Sequence, residues 1–510
     1  MTNTIDILAL LGPDADPAAA GLTLRQVGAA PPSEATELLT MVNAGRDRLP
    51  SSDPAILGGL LRGLHTLFLS GARSAIAALI PDTILTIDDA LPDRCPNRHL
   101  LLHLLVLAGN DDALRAAVER LNSRPPANWE AAGLVLSPLM QSTEWPIEAV
   151  FPDLLTSIEH PSMASTTLDL ANFLVHENRL QVHPAAARVN ELNRLLAAVT
   201  GRLERFERDP RSLGDDIATV QERLSEAISL AVSLCDALGL IGATESLPRL
   251  TETMHLKHRR VRSEAAGALA RMGDEHGIEQ LIALVEEPSA RLRVIAYADE
   301  LGLADRIDQR FRSQESTAEA SLALWLSQPA QMGIPPTSVE TLDQRFLFWP
   351  GYDQPLDCFL VRFHYEMGDR TYSNVGISGP VTFALANNVA DLPVDDIYAI
   401  YAGWQAEHAD IFAIAAEHLH PAQRRLAADL ATHADRSGYH DPQVELFGVF
   451  FEEQAAVFRA TRDDKPCWVV TDGLEAIHLA IQGRPRELAA ADLWNLYKGR
   501  KILRTFNPSA

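Results

Sequence analysis

The run VRSEAAGALARMGDEHGIEQLIALVEEPSARLR, residues 261–293, decides the architecture. Apolar residues at three- and four-residue spacing mark a helix up to Met272. Gly273-Asp274 is a turn: glycine suits a left-handed helix end, and aspartate suits the cap of the next helix. A second helix covers residues 278–285, Pro288 follows in a turn, and LRVIAYADELGLAD opens another copy. The unit returns at a fixed interval. Residues 237–242 (ALGLIG) reappear 31 positions later as residues 268–273 (ALARMG), and Val261-Arg262 returns as Leu292-Arg293. A lone helix pair leaves one apolar face open, and stacking the next pair covers it.

Working outward, residues 35–325 keep the same Leu/Ala-rich texture with short breaks. Residues 56–64 and 75–80 read as helical around Ser70-Gly71. Residues 100–108 precede Gly109-Asn110-Asp111-Asp112, which ends one helix and caps the next at 113–121. Pro125-Pro126, Trp145-Pro146 and His160-Pro161 punctuate the next stretch, and almost no alternating pattern occurs, so the block is all-α. Over residues 231–305 the spacing resembles the HEAT repeat, whose helix pairs stack into an armadillo-like α-solenoid. That resemblance implies a scaffold for protein partners; a few HEAT-containing families instead attach bilins or repair DNA.

The chain has 510 residues, 47% hydrophobic and 22% charged, which is ordinary globular usage and too long for one core. Lys plus Arg is 44 against 68 Asp plus Glu, a formal charge of −24 that repels nucleic acid and anionic membrane. Cys95, Cys235, Cys358 and Cys467 form no CxxC pair, which fits reduced structural thiols in a cytoplasm. The first residues lack a basic n-region, and the longest apolar stretches, such as 100–108, fall short of the ~20 residues of a membrane span. No lysine sits in a GxxxxGK[ST] frame, which excludes a P-loop nucleotidase.

Near residue 330 the text changes. Phe359, Val361, Phe363 and Tyr365 alternate with Leu360, Arg362, His364 and Glu366 as a half-buried strand, Gly368-Asp369 turns, and residues 370–377 return. Residues 457–462 and 466–471 form a second hairpin around Asp463-Asp464, and Asp472-Gly473 turns into 476–481. Helices are predicted at 395–406, 408–418, 421–433 and 490–497. The expected fold is therefore mainly α: a HEAT-like α-solenoid followed by a smaller α+β domain with an antiparallel sheet. The divisions read as an N-terminal extension (1–34), a divergent helical block (35–200), a charged linker helix (201–230), HEAT repeats (231–328), a linker (329–342) and the α+β domain (343–510).

Candidate sites are few, and each has a structural counter-reading. Tyr372, Asn374, Gly376, Ser378 and Gly379 lie between a predicted strand and a predicted helix at Pro380, whose N–H groups could hold an anion. The spacing misses both GxGxxG and GxSxG, and a glycine bend before a proline is common in plain turns. Tyr401 and Trp404 are three apart, and Tyr401 shares a helical face with Gln405 and His408, either as a pocket wall or as core. Lys498 and Arg500, with Lys501 and Arg504, make a basic patch that could take an anion or dock on the acidic helices. Arg262 and Arg293 recur at equivalent repeat positions, beside Arg259, Arg260 and Arg291, either facing a partner or pairing with Asp274, Glu275, Glu286 and Glu287. Neither the 16 histidines nor the cysteines form a metal-ligand set, and no cofactor is expected. The reading is a non-enzymatic, cytoplasmic scaffold binding protein partners, without nucleic acid or membrane insertion. The alternative is a small-ligand protein or enzyme, for example one resembling bilin lyases, with its site in the α+β domain.

Overall fold

The computed structural model describes residues 5–13, 15–71, 76–77, 79–142, 144–214, 216–385, 389–481 and 488–507. Contacts divide the chain into two compact units, Met1–Leu281 and Ile282–Ala510.

The first unit is helical: α1 (Pro17–Ala29), α2 (Ala35–Ala44), α3 (Pro54–Ser70), α4 (Pro81–Ala90), α5 (His99–Ala108), α6 (Asp111–Ser123), α7 (Trp129–Gln141), α8 (Pro161–His176), α9 (Val189–Arg208), α10 (Ile217–Ile241), α11 (Leu247–Met254), α12 (Arg259–Arg271) and α13 (Glu275–Ala283), the last reaching two residues past the division. Of the helical stretch expected at 75–80, residues 75 and 78 lie outside the described residues. Side-chain caps start the helices where the sequence places them: Asn110 Oδ1 accepts from Ala113 N at 2.9 Å, and Asp274 Oδ1 from Gly277 N at 2.7 Å. Gly242 and Gly273 end their helices at φ +71° and +78°, a conformation glycine adopts freely. The N-terminal segment packs rather than trailing away, with Val27 of α1 fully buried against α3.

Two expectations change here. Residues 201–230 are not a separate linker helix. They are the end of α9, a short 3-10 turn (Pro210–Leu213) and the first half of α10. Their charges lie on outer faces while Leu203 and Leu213 are buried, so amphipathic packing continues through the charged text. By length and composition, the 25-residue α10 is also long and apolar enough to cross a membrane. Half of that window is buried within the protein, and Leu234, Cys235 and Leu238 are fully enclosed.

The second unit begins with α14 (Pro288–Glu300) and α15 (Gln314–Leu326) and continues as β1 (Ser338–Phe348), β2 (Pro355–Met367), β3 (Arg370–Ser378), α16 (Val394–Gln405), β4 (Ile411–Ala415), α17 (Pro421–Arg436), β5 (His440–Phe450), β6 (Glu453–Arg462), β7 (Lys465–Thr471), β8 (Ala476–Ala480) and α18 (Ala490–Phe506). Two antiparallel sheets form, β1-β2-β3 and β4-β5-β6-β7-β8, each strand beside its sequence neighbour. Strand alternation then builds the layers. Phe359, Val361, Phe363 and Tyr365 face α15, while Cys358 and Leu360 face α16 and α18. Val457 and Val470 of the second sheet meet the same two helices from the opposite side, and Phe458 and Val469 face α17. The order is helix, sheet, helix pair, sheet, helix.

Residues 408–418, expected as a helix, hold β4 instead: Ile411 pairs with Phe450 and Ala415 with Leu446. Local Ala/Glu composition favours a helix, but the open edge of β5 offers hydrogen bonds that override it. The linker expected at 329–342 gives way to β1 at Ser338. The final helix runs to Phe506, past the expected 497.

Candidate functional site

The sequence singled out residues 372–379 for an anion cradle at a helix start. No helix begins at Pro380 among the described residues; Tyr372, Asn374, Gly376 and Ser378 lie within β3, where Gly376 pairs with Val361. Val375 and Ile377 are fully buried, and this period-two burial keeps the segment a strand to Ser378. Asn374, with no exposed surface, donates from Nδ2 to Leu385 O at 3.1 Å and to Tyr372 Oη at 3.3 Å. Ser378 Oγ lies 3.3 Å from Thr382 Oγ1. Gly379, at φ +129°, has its α-carbon against the Asp357 carbonyl, where a side chain would collide.

Tyr401 completes this joint. Its hydroxyl donates to Val375 O at 2.7 Å and accepts from Leu385 N at 3.2 Å, tying α16 to β3 and to the segment after it. Burial pushes its phenol well above the ordinary tyrosine range. Trp404 is half exposed and lies on Phe383, with ring centroids 4.5 Å apart. His408 is off the shared face, because α16 ends at Gln405. The cluster thus joins a sheet to a helix, its hydrogen bonds spent internally. A Cβ on Gly376 would sit 2.8 Å from the Leu322 side chain of α15. Gly376→Val should cost the second unit about 1–3 kcal/mol through overpacking, with partial recovery in Gly376→Val/Leu322→Ala. Urea melts of the three proteins check this; an unchanged midpoint for Gly376→Val would remove the contact from the core.

Three of the four basic side chains of the patch on α18 are paired with carboxylates. Arg500 Nε donates to Asp396 at 2.8 Å, Lys501 Nζ to Asp472 at 2.9 Å and also to Glu453, and Arg504 pairs with Glu475 at 3.3 Å. Lys498 Nζ lies 3.5 Å from Ala406 O, and burial lowers its pKa. The repeat arginines are held as well. Buried Arg291 pairs with Glu319 at 3.1 Å rather than with Glu286 or Glu287. Arg293 donates to Tyr297 Oη at 3.2 Å with its guanidinium 4.4 Å from that ring. Arg262 is half-buried on α12.

Nothing in the sequence pointed to a polar seam inside the first unit. Asp236 of α10 receives His176 of α8 at 3.0 Å and Arg271 of α12 at 3.1 Å. Ser233 Oγ donates to Asp169 at 2.6 Å, Asn172 Nδ2 to Ser233 O at 3.1 Å, and His183 Nε2 lies 2.9 Å from Asn172 Oδ1. Burial lifts the Asp169 carboxyl to about 6; Asp236 and Glu264 add to the rise, while the Ser233 hydrogen bond and Arg260 oppose it. Because its folded pKa is raised, Asp169 costs stability as pH climbs from about 4 through 6. Asp169→Asn should therefore raise the melting temperature of the first unit at pH 7.5 and change it little at pH 4. Equal shifts at both values would contradict the assignment.

What this unit offers outward is different in kind. Helix α12 is interior, with residues 263–270 all buried. Flanking α11 and α13 bury Leu250, Met254 and Leu281, and expose Arg249, Glu252, Glu275, His276 and Glu279, with His255 exposed just after α11. Polar spacing of three and four within those helices carries this face in the sequence.

Residues 218–302, which cover α10 to α14, match the family model for HEAT repeats. This stretch is a HEAT-repeat region. No curated protein matches the chain. A solved structure described as "Lipid-protein interactions in lipovitellin" is similar at 11% identity, covering 91% of this chain and 51% of that one, with a TM-score of 0.24. The chain thus spans about half the length of that protein. In the HEAT region α12 and the second half of α10 are enclosed, and α11 and α13 present polar residues.

Proposed function

We propose that this protein is a non-enzymatic scaffold that docks a protein partner on the polar face of α11 and α13. The HEAT match at residues 218–302 carries this reading, since such repeats serve generally in protein–protein interaction. The exposed charges of that face supply specificity, while the buried side supplies rigidity. A net charge of −24 speaks against nucleic acid as the partner. The four cysteines are free and buried, with burial pushing Cys95 to about 11 and Cys358 to about 12; this supports a reducing, cytoplasmic setting and no thiol chemistry. The small-ligand alternative lost its helix-start cradle when residues 372–378 formed a strand.

Glu252→Lys/Glu279→Lys tests the proposal by reversing charge at two exposed positions. Cross-linking on whole cells should place a partner on α11 and α13 in the wild type, and the double variant should lose it while melting at an unchanged temperature. Cross-links confined to other surfaces, insensitive to the substitution, would refute the assignment.

A further inference from the structure

We infer that the cleft at the α9–α10 corner is a binding site for an organic phosphate. This cleft, of about 480 Å³, is lined by Arg202 and Arg205 from α9, Ser212 and Leu213 from the 3-10 turn, and Arg223 from α10, with Pro161 at its margin. Its single lining carboxylate, Glu226, stands 3.7 Å from Arg202. Three guanidinium groups against one carboxylate give the cleft two surplus positive charges in a chain of net −24.

The neighbouring acids Glu204, Glu207, Asp209 and Asp216 do not line the cleft, and each is held by a bond of its own. Glu204 pairs with Arg208 at 3.0 Å, Glu207 accepts from Lys257 N at 2.7 Å, Asp209 from Arg211 N at 3.0 Å, and Asp216 caps Thr219 N at 2.9 Å. Arg205 Nε donates to Gly201 O at 3.2 Å, and Arg223 Nη1 to Leu213 O at 2.6 Å. Arg202 Nη2 donates to Arg223 O at 3.1 Å. A guanidinium has five N–H donors, and among the described residues neither Arg205 nor Arg223 forms an ion pair. The backbone bonds hold the cationic heads at the cleft and leave most of their donors for a guest.

The number and placement of these groups select the ligand. One guanidinium fork satisfies a planar carboxylate, whereas arginines from two facing helices suit the tetrahedral oxygens of a phosphate. The Ser212 hydroxyl adds a neutral donor. The volume exceeds that of a phosphate alone, and Leu213 with Pro161 gives an apolar wall for an organic body. This site stands whether or not α11 and α13 hold a partner.

The test is isothermal titration of full-length protein with inorganic pyrophosphate in a phosphate- and sulfate-free buffer, with citrate as the carboxylate control. Pyrophosphate should bind saturably and more tightly than citrate. Arg205→Ala/Arg223→Ala should weaken it at least about tenfold, as should Arg205→Gln alone in part, since Arg205 is exposed and bonds only within its own helix. Sedimentation with vesicles containing phosphatidic acid separates two sources of the same chemistry. Pyrophosphate-sensitive sedimentation assigns the phosphate to a lipid headgroup, and binding without sedimentation assigns it to a soluble molecule. Absence of saturable binding up to about 1 mM in both arms, citrate matching pyrophosphate, or a double variant that binds as wild type would each overturn the inference.

Discussion

Gly499→Ala will destabilise the second unit by more than about 3 kcal/mol, although alanine is the better helix former. The reason lies where α16 crosses α18. A Cβ on Gly499 would overlap the Ala399 carbonyl oxygen and lie 2.9 Å from Gly403 N; a Cβ on Gly403 would overlap Asn495 O. These obstacles are backbone, and backbone moves only if a whole helix shifts. Both helices are enclosed between the two sheets, with Ile400, Tyr401, Leu496 and Tyr497 buried, so a shift would unpack both sheet faces. Helix propensity alone predicts a gain of about 1 kcal/mol for the same change. The sign therefore separates the two accounts. Gly201→Ala in α9, where nothing lies within 4 Å of the new Cβ, should show the gain. Denaturant melts of the two variants check both signs, and a Gly499→Ala protein more stable than wild type would refute the packing.

Acid will melt the first unit selectively between pH 6.5 and 4. Burial depresses the imidazole of His103 to about 4, with His65 and His99 adding to the effect, and burial likewise brings His183 and His258 to about 4. A histidine whose folded pKa lies below its unfolded 6.5 contributes stability above 6.5 that is lost as pH falls toward the folded value. For two of these rings a hydrogen bond adds to the cost of protonation. His183 Nδ1 accepts from Ala185 N at 3.1 Å, and protonation there ends that bond. His103 Nδ1 faces His65 Nε2 at 2.7 Å, so a second proton would set two N–H groups against each other. At pH 5 the loss is about 2 kcal/mol for each of the two well-buried rings and less for half-buried His258. Asp169 opposes this by about 1 kcal/mol over the same interval, leaving a net loss on the order of 3 kcal/mol. Hydrogen exchange resolved by peptide should show residues 5–281 opening faster at pH 5, after correction for intrinsic rates. His103→Gln/His183→Gln should flatten the dependence. An undiminished acid loss in that variant would place its origin elsewhere.

The repeat was legible because its signals are local. Gly242, Gly273 and Asp274 act within one turn of their own positions, and the 31-residue interval repeats them. Strand β2 was legible for the same reason, through alternation of Phe359, Val361, Phe363 and Tyr365. What failed depended on distant partners. Residues 408–418 carry four alanines and a glutamate, yet 411–415 within them became a strand beside β5, itself spread over residues 440–450 with two register shifts against β6. The anion cradle at 372–379 failed because Leu322, far away in sequence, closes over Gly376. Arg500 of the basic patch was neutralised by Asp396, 104 residues away. Conversely, the cleft of Arg202, Arg205 and Arg223 lay inside text that reads as a solvated charged linker, since spacing along the chain does not reveal convergence across a helix corner.

Native mass spectrometry of the gently purified, tagged protein from its own organism tests the scaffold reading most directly. The account predicts a stoichiometric protein partner that is retained by wild type and lost by Glu252→Lys/Glu279→Lys. A chain that flies without any protein attached, or a partner retained unchanged by the double variant, would contradict it.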